Sequence, residues 1–389
     1  MSCTDSSSSQ GVKALHRGNK ISHQDNKSLV YGKRTYLEVV RIIAIMCVVF
    51  NHTAGFFMYA NARDVYSFGI SLVGSILCRV AVPLFLMVSG ATLLGKRESI
   101  GRLLKHRVLR MMIVLAVFSA FYYAIDVYRG ERRFSPLGFI RDLLNGELQS
   151  SFWYIYLYIG ILLLMPLLRI LAQNMSDREY TWLIIIVTLL APIYSVVDAF
   201  TDINVNGNLC QFNLFLYYVI IGYGINEEKI GFIQKRKKRE WCLMAATAFV
   251  LTALLQWLFF RINGAWDVNM LDVLLPVSVP VIFELIKEIV AAKAMTSDKE
   301  GTTGTEGANT KSEGVRTKAE DVICTLGSLT FGIYLLEHFG RIILKPVYQS
   351  LMNVIPEILA VIVYWIGSII IAGLCTYALK KLPKVKEYL

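Results

Sequence analysis

The run Tyr36-Leu-Glu-Val-Val-Arg41-Ile-Ile-Ala-Ile-Met-Cys-Val-Val-Phe-Asn-His52 decides how the chain is read. Its length and apolar content suit a bilayer-crossing helix, because a hydrocarbon core of about 30 Å asks for about 20 mostly apolar residues at about 1.5 Å of rise each. Two ionisable groups nevertheless sit inside it. An ionisable side chain in hydrocarbon costs about 2.5 to 3.5 kcal/mol on insertion scales, so each one requires a partner or a purpose. The eleven steps from Arg41 to His52 turn a helix through about 1100°, three turns plus about 20°, which places both on one stripe about 16 Å apart along the axis. Glu38, three residues before Arg41, is positioned to pair with it. By position alone, Arg41 is either an arginine snorkelling to the headgroups or an interior cation. His52 lies past the midplane, where an imidazole either bonds a neighbouring helix or handles a proton.

The same apolar pattern recurs along the 389 residues, of which 55% are hydrophobic and 18% charged. Soluble chains average roughly a quarter charged, so a soluble globular protein is excluded. Ten segments qualify as spans, near 37–58, 71–94, 108–127, 152–172, 180–198, 211–225, 241–260, 270–292, 322–345 and 353–378, and the predicted fold class is all-α, a polytopic membrane protein of about ten transmembrane helices. The net charge of +11 is explained by where the cations fall. Thirty of the 40 lysines and arginines lie on alternate connections beginning with the N-terminal tail, eight lie on the opposite connections, and Arg41 and Arg79 lie within spans. Positive charge is retained on the cytoplasmic side, so both termini are expected there and nucleic acid is an unnecessary partner. Residues 1–36 read as a polar cytoplasmic tail without a cleavable leader, 37–378 as the membrane domain, 294–320 as a flexible cytoplasmic linker and 379–389 as a cytoplasmic C-terminal tail. The seven cysteines form no paired motif, which excludes a disulfide framework, and two intramembrane histidines do not make a metal-ligand set.

Other polar islands mark candidate functional positions. Lys105-His106-Arg107-Val-Leu-Arg110 opens the third span, and Arg107 and Arg110 share a helix face, a geometry suited to phosphate oxygens and equally to ordinary positive-inside anchoring. Arg79, in Cys78-Arg-Val-Ala-Val-Pro83-Leu-Phe-Leu-Met-Val-Ser-Gly90, lies about eight residues into a span. That is deep for snorkelling, so a carboxylate partner or an anionic substrate is expected. Glu337-His338 is a further island, with Glu337 placed to pair with Arg79 or to polarise His338. Trp153 opens the fourth span, where an aromatic belt is the default explanation.

Taken in order, Arg41-x10-His52, the Arg79–Gly90 run, Arg107-x-x-Arg110, Phe152-Trp-Tyr-Ile-Tyr-Leu-Tyr with Pro166-Leu-Leu-Arg169, and Phe331-Gly-Ile-Tyr334-Leu-Leu resemble the acyltransferase-3 family from about Tyr36 to Ala378, and more narrowly its bacterial surface-polysaccharide O-acyltransferases. The resemblance implies a ten-helix enzyme of the bacterial cell membrane. It would move an acyl group, commonly acetyl from acetyl-CoA as co-substrate with no tightly bound cofactor, onto a hydroxyl of a surface glycan or its lipid-linked precursor. It also implies that Arg41 and His52 are the essential pair and Arg107 with Arg110 the cytoplasmic basic pair. The chain departs from the family where members often carry histidine three residues after tyrosine: Glu337 stands there and His338 follows.

On this reading acyl-CoA binds from the cytosol at Arg107, Arg110 and Arg41. His52 serves as general base or acyl-carrying nucleophile, and the acceptor enters from outside past Arg79, Trp153 and the basic 129–141 loop. A transporter or flippase of glycan or lipid precursors is the competing reading, since it too would use midplane ionisable residues. A membrane sensor is a third.

Overall fold

The computed structural model describes residues 35–53, 65–201, 214–264, 271–300 and 318–388. Among these residues there is no strand, and every one of the ten predicted segments coincides with a helix. The elements are α1 (Thr35–Thr53), α2 (Val65–Arg79), α3 (Ala81–Leu93), α4 (Leu109–Tyr128), α5 (Pro136–Asn145), α6 (Trp153–Asn174), α7 (Asp177–Phe200), α8 (Leu214–Asn226), α9 (Lys238–Asn263), α10 (Leu275–Glu300), α11 (Lys318–Leu351) and α12 (Glu357–Lys380). The chain is an all-α polytopic membrane protein.

Seven helical stretches among the described residues are long and apolar enough to cross a membrane, the second of them formed by α2 and α3 together. The remaining three predicted spans differ from these seven in length and charge. Helix α8 has 13 described residues, and α10 carries Glu284, Lys287 and Glu288 in its apolar run; α7 opens on Asp177, Arg178 and Glu179, but its run 180–197 is apolar and free of charged residues. Between α2 and α3 the helix is interrupted at Val80. Pro83 has no N–H to return to the Arg79 carbonyl, so the ladder breaks there, beside Arg79.

Several predicted boundaries shift. Helix α10 continues to Glu300 and so takes the first residues of the expected linker, while 301–317 lie outside the described residues, as do 1–34 of the expected tail. Tyr36, assigned to that tail, is buried in α1 and donates to Asn226 Oδ1 at 2.6 Å. A short helical turn, Pro383–Lys386, follows α12 in the expected C-terminal tail.

Lipid tails are as apolar as leucine, so helices in a membrane associate chiefly where small residues let backbones approach. The pairing of α3 with α8 works this way: a Cβ on Gly90 would collide with the Val219 carbonyl, and one on Gly222 with the Met87 backbone. Helices α11 and α12 meet similarly through Gly332 against Thr376 and Gly340 against Ser368. Helix α1 lies between two apolar clusters. Its Val40 and Ala44 pack with α3, α6, α8 and α10, and its Ile45, Val48 and Val49 pack with α4, α11 and α12. A helix packed by aliphatic residues on both sides leaves its polar stripe, Arg41 to His52, to a gap between those clusters.

Candidate active site

That gap is a cavity of about 1240 Å³, whose wall includes both Arg41 and His52. Residues from opposite ends of the bundle line it: Glu98, Arg107 and Ser328 from the end where α1 begins, and Asn51, His52, Ser151, Trp153 and Asp272 from the end where α1 finishes. The helical stripe therefore forms one side of a continuous passage.

At the far end, His52 Nδ1 stands 3.0 Å from Glu337 Oε1. The Glu337 side chain is 0% exposed, and it is held from three directions. Arg341 donates from Nε to Oε2 at 2.7 Å and from Nη2 to Oε1 at 3.2 Å, Ser151 Oγ donates to Oε1 at 3.3 Å, and Arg341 Nη1 also reaches the His52 carbonyl at 3.3 Å. A carboxylate only accepts, so His52 carries a proton on Nδ1, and in the neutral ring Nε2 keeps its lone pair. A histidine oriented by a buried carboxylate can take a proton from a hydroxyl or attack an acyl carbon.

At the other end, Glu38 accepts from Arg41 Nη1 at 2.5 Å, the expected pairing. Glu98 Oε2 accepts from Arg107 Nε at 2.9 Å and from Arg169 Nη2 at 3.1 Å. Arg169 is itself buried and fixed by the carbonyls of Leu93 at 3.1 Å and Glu98 at 3.2 Å. Burial pushes the Glu98 carboxyl up, but the hydrogen bonds and charges of Arg107 and Arg169 outweigh it and hold it below the usual carboxylate range. Arg110 also lines the cavity, and its Nε is buried without a hydrogen-bond partner. Leu104–Val108 forms a π-helical turn joining the short helix Ile100–Leu103 to α4. Such turns re-aim side chains inside a helix and recur at functional sites, and this one contains Lys105, His106 and Arg107.

Six of the eight candidate positions read from the sequence are thus on the cavity wall: Arg41, His52, Arg79, Arg107, Arg110 and Trp153. Glu337 and His338 do not line it. Glu337 stands behind His52, and His338 Nδ1 faces Arg341 Nη2 at 3.0 Å with its ring edge-on to Tyr122. The expected Arg79–Glu337 pairing is corrected: Arg79 donates to both carboxylate oxygens of Asp272, with Nε at 2.5 Å from Oδ1. The basic 129–141 stretch contributes nothing to the wall. Two of its cations are held locally, Arg132 and Arg141 by the buried Asp142 of α5, at 2.6 and 3.0 Å. Sequence reading gave no site role to Arg341, Ser151, Glu98, Asp272 or Arg169, although Arg169 closes the Pro166-Leu-Leu-Arg169 motif. Arg341 also carried a signal, four residues after Glu337 on one helix face. No group of residues suited to a metal ion occurs among the described residues.

A family model of the acyltransferase domain matches residues 34–377, nearly the whole chain, and the protein belongs to the acyltransferase-3 family. It is a membrane acyltransferase. No curated protein and no solved structure matches it.

Proposed function

We propose that this acyltransferase draws its acyl group from acyl-CoA, most simply acetyl-CoA, and places it on a hydroxyl of a cell-surface polysaccharide or its lipid-linked precursor. The observation that carries the reading is the single cavity that joins a cluster of guanidinium groups at one end to a carboxylate-held histidine at the other. Phosphates of the donor bind Arg107 and Arg110, with Arg41 beside them, and the extended pantetheine arm carries the thioester along the α1 stripe. The separation of about 16 Å between Arg41 and His52 is a span such an arm covers. His52 Nε2 takes the proton as the acceptor oxygen bonds to the thioester carbon. The tetrahedral intermediate then expels the CoA thiolate, which recovers that proton from the imidazolium, while Glu337 offsets the charge on the ring. The positive-inside pattern supports an orientation with the Arg107 end and both termini on the cytoplasmic side.

Purified protein in lipid nanodiscs, supplied with radiolabelled acetyl-CoA and an envelope glycan extract, should release free CoA and label glycan. A transporter or flippase releases none. His52→Ala and Arg41→Ala, inserted at normal abundance, should lose transfer, and near-wild-type turnover in both defeats the proposal. Arg107→Ala with Arg110→Ala should weaken CoA binding about 10- to 100-fold or more, since each hydrogen bond to a charged group is worth about 1.5 to 3 kcal/mol. Unchanged affinity returns that pair to membrane topology.

A further inference from the structure

A second lobe of the cavity is built from residues that the transfer chemistry does not use. Arg79, at the break between α2 and α3, and Asp272, just before α10, form a bidentate pair on its wall. A bidentate pair fixes both side chains and cancels their charges locally, in contrast to the guanidinium cluster at the donor end. Tyr218 of α8 also lines this lobe. It is 2% exposed and its hydroxyl has no hydrogen-bond partner, although it lies within electrostatic reach of Asp272 and Arg79. A buried hydroxyl without a partner costs about 1 to 3 kcal/mol, so a ligand that bonds it recovers that cost. Trp153, 46% exposed, completes the lobe with Phe215, their ring centroids 6.0 Å apart.

We infer that this lobe binds a neutral sugar ring of the acceptor. The carboxylate of Asp272 accepts from sugar hydroxyls and the guanidinium of Arg79 donates to them. The Tyr218 hydroxyl supplies a further contact, and the faces of Trp153 and Phe215 cover the apolar C–H face of the ring. Among the described residues no unbalanced cation lines this lobe to offset desolvation of an anion, which selects against an anionic group. The lobe and His52 line the same cavity, so a ring held here shares one space with the imidazole. This inference rests on the acyl-transfer reading for its meaning, and its test does not.

The test is saturation-transfer NMR on the full chain in nanodiscs, without acyl donor, against a panel of soluble methyl pyranosides, half neutral and half uronates of the same ring. The wild-type protein should saturate ring C–H protons of neutral members more than those of the uronates. Trp153→Ala should abolish the signal, and Tyr218→Phe, which deletes only one oxygen, should reduce it at least threefold. Asp272→Asn should do the same if the variant folds. In the transfer assay, Tyr218→Phe should raise KM for the glycan at least threefold while KM for acetyl-CoA stays level. A wild-type protein that gives no signal, a preference for uronates, or a Tyr218→Phe variant matching wild type in both binding and glycan KM overturns the site. Glycan binding without any CoA release would leave the site standing and reject the proposed function.

Discussion

The Nδ1 nitrogen of His52, one residue from the end of the first described helix, lies 3.0 Å from Oε1 of Glu337, a fully buried carboxylate 285 residues later in the chain. That contact fixes the tautomer. In a Glu337→Gln variant the amide can donate to Nδ1, which moves the proton to Nε2 and leaves the cavity facing an N–H where a base is needed. The expected result is a fall in kcat of about 10²- to 10⁴-fold, the usual worth of a positioned general base. KM for acetyl-CoA should change little, because Glu337 is off the cavity wall. Steady-state kinetics in nanodiscs measure this, and a variant with near-normal kcat would show that His52 works without its carboxylate.

Arg341 is the second half of the same device, bonded to Glu337 through two nitrogens. Removing one partner of a buried ion pair costs about 3 to 5 kcal/mol, because the other charge is left uncompensated, whereas replacing both with apolar groups is often neutral. Arg341→Met should therefore lower the thermal midpoint sharply. The double variant Glu337→Leu, Arg341→Met should recover most of it and remain inactive. Thermal unfolding in detergent, read beside CoA release, separates the two effects. A double variant as unstable as the single one would mean that Arg341 matters through packing instead of charge.

The spans and the alignment of Arg41 with His52 were legible because both follow from local rules, apolar length and a helical period, that a single segment carries. The partners were not. Glu98 and Arg169 are 71 residues apart, and Arg79 and Asp272 are 193 apart. Nothing in either segment alone specifies such a meeting, which helix packing decides. The π-helical turn at Leu104–Val108 was equally hidden, since its sequence is compatible with an ordinary helix. The cations of 129–141 misled for the opposite reason: their charge was visible in the sequence, while the ion pairs that Arg132 and Arg141 make with the buried Asp142 of α5 were not.

Close contact of α3 with α8 predicts intolerance at two glycines. Gly90 and Gly222 each face backbone of the other helix, so an added methyl meets atoms that cannot rotate away. Overpacking typically costs about 1 to 3 kcal/mol and occasionally more. Gly90→Ala and Gly222→Ala should each reduce the yield of folded, detergent-stable protein. Gly101→Ala, where nothing lies within 4 Å of the new atom, should not. Fluorescence-detected size exclusion reads this directly. Equal yields for all three would show that α3 and α8 are farther apart than described.

Glu98 sets the pH behaviour expected of donor binding. Its carboxylate holds Arg107 at 2.9 Å and is braced by Arg169 at 3.1 Å. Against the upward push of burial, these partners keep its pKa below that of a free glutamate. A lowered folded pKa means that the clamp is fully present above the ordinary value of about 4.3 and is lost only as pH falls through the lowered one. KM for acetyl-CoA in the wild type should therefore show no contribution from this group between pH 8 and about 5, and should rise only at more acid pH. Glu98→Gln keeps the shape, removes the charge and frees Arg107 to swing. Its KM should be raised about tenfold, near the lower bound for one charge-assisted bond, and should lack the acid rise. Measured across pH, a wild-type KM that already climbs between pH 6 and 5 in a manner abolished by Glu98→Gln would place the Glu98 proton on the wrong side of its ordinary value and dissolve the clamp.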